Sequence, residues 1–79
     1  MKYDDYFIEK FKKPGANIRK IREAKQITIK ELSKKTGIRV EYIRKIEQGK
    51  AYGVLIEKHI LKIANALSIK MSELFSFDS

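Results

Sequence analysis

Between Thr28 and Gly49 the sequence spells out two short helices with a tight turn between them, a pattern that many helical hairpins share and that the specific residues around it must narrow. Thr28-Ile29-Lys30-Glu31 has the form of a capping box. In such a box the threonine hydroxyl serves one free backbone N–H while the glutamate reaches back to another. A helix over about 29–36 follows, with Leu32 turned inward and Ser33 a small residue beside it. Gly37 stands where that helix ends, because glycine takes the left-handed conformation without a side-chain penalty. Ile38 is the apolar residue of the turn. The second helix, over about 40–48, sets Ile43 and Ile46 on one side. Glu41, Arg44, Lys45 and Gln48 fall at i, i+3, i+4 and i+7 and form a polar outer stripe. Gly49 closes it.

The flanks have the same helical period. Tyr3, Phe7, Ile8 and Phe11 recur at helical spacing, and Asp4 or Asp5 suits the start of such a segment. Pro14-Gly15 is expected to stop it. Ile18, Ile21 and Ala24 mark another helix over about 16–25, with Arg and Lys on its other face. After a loop holding Tyr52-Gly53, the residues Ile56, Ile60, Ile63, Ala64 and Leu67 line one face of a further helix. Met71, Leu74 and Phe75 suit a short last one. The fold class is therefore all-α: a compact bundle of about five short helices with an extra N-terminal helix. No strand, internal repeat or disordered linker interrupts it.

Seventy-nine residues hold one small domain. A chain of this size buries only about 60% of its unfolded surface. With no cysteine and one histidine there is no disulfide framework and no set of ligands for structural zinc, so plain hydrophobic packing must hold it. No metal or cofactor is expected. The N-terminus lacks the apolar stretch of a signal peptide, and no apolar run approaches the roughly 20 residues that span a bilayer. The expectation is a soluble, cytoplasmic protein without a membrane partner.

Charge is unevenly placed. The net charge is +8, yet residues 10–50 alone carry fourteen basic and four acidic side chains, residues 1–9 carry −2, and residues 51–79 balance to zero. A basic middle between neutral flanks suits a polyanion, either nucleic acid or an anionic membrane. A solvated lysine-rich surface is the plainer reading of the same composition.

Two short helices joined by a glycine-containing turn, the second with a polar outer face, form the helix-turn-helix pattern. The first helix of such a pair crosses the DNA backbone, and the second puts its N-terminal residues into the major groove. From Gly15 to Phe75 the chain resembles the Cro and phage-repressor (Xre-like) helix-turn-helix family. The stretches GANIRKIREAKQIT, KELSKKTGIRVEYIRKIEQGK and LKIANALSIKMSELF carry the resemblance, with Leu32, Gly37, Ile43, Ile46, Glu47 and Gly49 at the family's spacing. It implies a lambda-repressor-like fold over residues 14–79, preceded by an aromatic amphipathic helix over 1–13. It also implies that Arg22 pairs with Glu47, tying the recognition helix to the bundle.

On this mapping Arg39, Val40, Glu41 and Arg44 are the candidates for base readout. Arg39 or Arg44 can read guanine through paired donors, and Glu41 can accept from cytosine or simply favour the helix dipole. Val40 suits a thymine methyl or the support of the turn. Thr28, Lys30, Tyr42, Lys45, Gln48, Lys50 and Tyr52 are candidates for the DNA backbone, where contacts fix register without reading sequence. Several residues depart from the family pattern. Ile29 stands where the family has a glutamine, Arg39 where it has a Ser or Thr cap, and Lys70 where it has a small cap.

The function implied is a sequence-specific double-stranded DNA-binding regulator of transcription, acting as a homodimer on a roughly palindromic site. Met71, Leu74, Phe75 and Phe77 are the candidate dimer residues, with internal packing as the alternative for each. The rival is a protein-interaction module, because IRVEYIRKIEQG is also similar to the cytoplasmic domain of RodZ-like proteins. An antitoxin would combine both. No enzymatic activity is expected: His59, the single histidine, has no nucleophile motif, phosphate loop or metal cluster beside it.

Overall fold

A computed structural model of the chain describes the backbone of residues 5–51 and 56–75 and the side chains of residues 14–51 and 56–75. Five helices follow one another: α1 (Asp5–Ala24), α2 (Ile29–Thr36), α3 (Val40–Glu47), α4 (Ile56–Ala66) and α5 (Met71–Phe75). No strand occurs among the described residues.

The expected stop at Pro14-Gly15 is not there. One 20-residue helix, α1, runs through both residues and replaces the two segments read from the sequence. Proline inside a helix costs about 3 kcal/mol, chiefly through a lost hydrogen bond and a ring clash. Tertiary packing overrides that local cost. Pro14 and Gly15 are both buried, and a Cβ at Gly15 would overlap the carbonyl oxygen of Ile46 at the end of α3. The glycine is thus the point where two helix backbones meet directly. It is a packing residue and not a helix terminator.

The core is drawn from every helix. Ile18 of α1, Leu32 of α2, Ile43 and Ile46 of α3, Ile60 and Ile63 of α4, and Leu74 of α5 are all essentially without solvent exposure. Ile56, Ala64 and Leu67 join them, as the helical spacing of that segment requires. Ile21 is half-buried against this cluster, whereas Ala24, read as part of the same stripe, is exposed. No charged or polar residue is buried among those described.

Helix ends explain the compactness. α2 begins on the expected capping box: Thr28 Oγ1 accepts from Glu31 N–H at 3.0 Å, and Glu31 Oε1 accepts from Thr28 N–H at 2.8 Å. It ends on Gly37 at φ 77°, whose N–H donates to the Ser33 carbonyl. α1 and α4 end differently, on non-glycine residues with positive φ, Gln26 at 58° and Ser68 at 60°. After them Ile27 N–H reaches back to the Arg22 carbonyl and Ile69 N–H to that of Ala64, each at 3.0 Å. α5 starts on Lys70, whose N–H is taken by Glu73 at 3.1 Å. Asn17 of α1 donates to the Leu74 carbonyl at 3.0 Å and ties the last helix to the first.

Candidate nucleic-acid interface

α3 is held by its inner face and presents its outer one. Ile43 and Ile46 are buried, while Arg39, Glu41, Arg44, Lys45, Gln48 and Lys50 are all exposed. The two sets alternate because an eight-residue helix with apolar residues three apart can bury only one stripe. Arg39 occupies the N-cap position in extended conformation with no side-chain hydrogen bond to the helix, so its guanidinium stays available. Val40 is half-buried at the first turn.

The turn that sets α3 against α2 is pinned by two hydroxyls. Ser33 donates to the Ile38 carbonyl at 2.5 Å, and Thr36 Oγ1 accepts from Ile38 N–H at 3.1 Å while donating to the Leu32 carbonyl. Ile38 is buried beneath them. Of these residues only Gly37 and Ile38 are recognisable as turn-makers in the sequence, since Ser and Thr in a polar helix look like ordinary surface.

The Arg22–Glu47 pair forms as expected. Arg22 Nε donates to Glu47 Oε2 at 2.8 Å and Nη2 to Oε1 at 3.1 Å, a two-pronged charged arrangement. A third bond runs from Arg22 Nη1 to the Ile27 carbonyl at 2.9 Å. The side chains are only 12% and 6% exposed. The hydrogen bond that Arg22 donates to Glu47 outweighs desolvation and raises the Arg22 pKa above its ordinary value. Through this pair α1 fixes the end of α3 and, with it, the orientation of the outer stripe.

Several expected contacts change character. Thr28 is exposed, but its hydroxyl oxygen already serves the cap of α2. Tyr42 is half-buried, and its ring meets that of His59 edge-on with centroids 5.0 Å apart. His59, expected as an ordinary surface residue, is therefore half-buried in a ring contact, with a buried Nδ1 that has no hydrogen-bond partner. Leu74 is fully buried in the core of its own chain and offers nothing to a second copy. Met71 and Phe75 are half-buried against that core. Tyr52, Phe77 and the side chains of the aromatic segment before Pro14 lie outside the described residues.

A family model describing the Cro/C1-type helix-turn-helix (HTH) DNA-binding domain matches residues 17–79. The chain belongs to the Cro/C1-type HTH family. In that family's terms α2 and α3 are the helix-turn-helix pair, and the chain is a DNA-binding regulator in the general sense. Among curated proteins and among solved structures, none matches the chain. Among the described residues no group of His, Cys, Asp and Glu could hold a metal ion, and no helix is long and apolar enough to cross a membrane.

Proposed function

We propose that this Cro/C1-type domain is a sequence-specific regulator of transcription, binding double-stranded DNA in the cytoplasm as a homodimer with α3 in the major groove. The observation that carries the reading is the outer stripe of α3, exposed on a helix whose other side is anchored by Ile43, Ile46 and the Arg22–Glu47 pair. An α-helix with its side chains is about 10–12 Å across, which a major groove about 12 Å wide admits. Arg39, Val40, Glu41 and Arg44 then read base edges. Lys30, Lys45, Gln48 and Lys50, with Thr28, Tyr42 and Tyr52, meet phosphates and set register.

One helix this short reads few base pairs. A two-fold partner puts a second α3 into the next turn of groove, about 34 Å away. With Leu74 taken by the core, a dimer surface at the α5 end draws on the outward parts of Met71 and Phe75 and on Phe77.

The test is the salt dependence of binding. Log affinity should fall linearly with log salt, and Lys45→Ala and Lys50→Ala should each lower the slope by about 0.9. Binding that ignores salt would remove the DNA reading and leave α3 as a surface for a protein partner, as in a RodZ-like or antitoxin-like module.

A further inference from the structure

α3 is held unequally at its two ends. At the C-terminal end the Arg22–Glu47 pair clamps it to α1 with two hydrogen bonds. The N-terminal half, where Arg39, Val40, Glu41 and Arg44 stand, has no side-chain cap, and the hydroxyls of the preceding turn stop at Ile38. There Tyr42 of α3 sets its ring against His59 of α4. The centroids are 5.0 Å apart and the planes cross at 71°, the edge-on arrangement that aromatic pairs prefer. α3 packs chiefly on α1 and α2, and this pair of rings braces it toward α4.

The His59 ring suits that place only while it is neutral. Its Nδ1 is buried and finds no hydrogen-bond partner among the described residues. A neutral ring can turn a lone pair to that side, whereas a protonated ring carries N–H donors on both nitrogens. A buried donor without an acceptor is costly, and an unpaired charge more so. The charges that act on the ring are Lys62 and Lys58, both cations, and Tyr42 is the titratable group facing it from α3. From α2, Lys35 shares a cleft with Lys62 and adds to the positive charge on that side. No described carboxylate of α1, α2, α3 or α5 is among the groups that act on the ring.

We infer that His59 is a positioning residue for the DNA-binding face: its neutral ring holds Tyr42 and the first turns of α3 in place, and a proton on the ring releases them. This rests on the DNA-binding reading above and adds to it a regulation by pH. Once charged, the ring gains more from water than from its site, and Tyr42 loses its support. Tyr42 is next to Glu41 and two positions from both Val40 and Arg44, so its displacement disturbs base readers and backbone contacts together. Burial lowers the His59 pKa, so the folded protein favours the neutral ring that DNA binding needs. Linkage makes the effect mutual: a proton that weakens DNA binding is itself held more weakly when DNA is bound. A histidine that touched phosphate directly would do the opposite.

His59 is the only histidine of the chain, so NMR follows its ring without ambiguity. The experiment titrates the wild type from about pH 7.5 to 5, free and with a duplex that it binds at pH 7.5. Affinity is measured alongside for wild type, His59→Phe and His59→Ala, at pH values where circular dichroism shows each protein folded. The His59 pKa should fall on DNA binding. Wild-type affinity should fall relative to His59→Phe by about 2- to 10-fold over the range, the worth of one edge-on ring pair. His59→Ala, with no ring to offer, should bind more weakly than His59→Phe even at pH 7.5. If His59→Ala does not fold, the wild-type titration and His59→Phe decide the matter. A His59 pKa that rises or stays unchanged on DNA binding overturns the inference while the DNA reading stands, and so does an affinity ratio that ignores pH. Absence of salt-sensitive binding by the wild type at pH 7.5 overturns both.

Discussion

Arg22 and Glu47 are nearly buried, so the loss of either leaves the other as an uncompensated charge. Glu47→Ala should destabilise the domain by about 3 kcal/mol. An exposed pair would cost no more than about 1 kcal/mol. Urea unfolding separates the two, and the double variant Arg22→Met/Glu47→Leu should recover most of the loss, because it leaves no charge stranded. His59 makes a second prediction. Burial first, and then the nearby Lys62 and Lys58, hold its pKa below the ordinary value. The folded state therefore binds the proton less well than the unfolded chain. That contribution to stability is fully present above the unfolded histidine pKa and is lost as pH falls through the depressed folded value. The urea midpoint should drop between about pH 7.5 and 5.5, and His59→Phe, which keeps a ring against Tyr42, should remove this part of the drop. An identical pH dependence in both proteins would show that His59 is not responsible.

Two glycines separate two kinds of constraint at the scale of the elements. Gly37 has φ 77° and nothing near its missing Cβ, so Gly37→Ala meets only backbone strain, about 1 kcal/mol. Gly15 is the reverse: its helical conformation suits alanine, which alone would stabilise α1 by about 1 kcal/mol. The Ile46 carbonyl occupies that space, so Gly15→Ala should instead destabilise more than Gly37→Ala and weaken DNA binding by shifting α3. Thermal melts rank the two variants, and a stabilised Gly15→Ala would refute the close approach. Gly15 also shows why the fold was only partly legible. The capping box, Gly37, and the apolar faces of α2, α3 and α4 are local signals, and each is found where the sequence puts it. Pro14-Gly15 reads as a local stop but answers to a contact with a residue some thirty positions away, which no local pattern encodes. Gln26 and Ser68 end their helices in a conformation usually given to glycine, so neither end announces itself. In the interface, the helical period separates the α3 stripe from its buried side. It does not show that Leu74 is consumed by the core, that Tyr42 meets His59 edge-on, or that Arg19 shares a cleft with Arg44.

For the whole molecule, the charge distribution and the architecture agree. The basic stretch of residues 10–50 contains α2, α3 and most of α1, the three helices that meet at the cleft and the outer stripe. α4 and α5 belong to the electrically balanced remainder and mainly close the core behind them. On the proposed function this arrangement reads sequence and does not merely attract polyanions. Selection of bound duplexes from fragmented genomic DNA and a random pool at moderate salt, followed by sequencing, tests it most directly, with Arg44→Ala run alongside. An enriched motif with two related halves about one helical turn apart is expected, with relaxed preference at one position of each half for Arg44→Ala. No enriched motif, with only weak salt-sensitive binding to every duplex, would contradict it and make the face of α3 a non-specific or protein-binding surface.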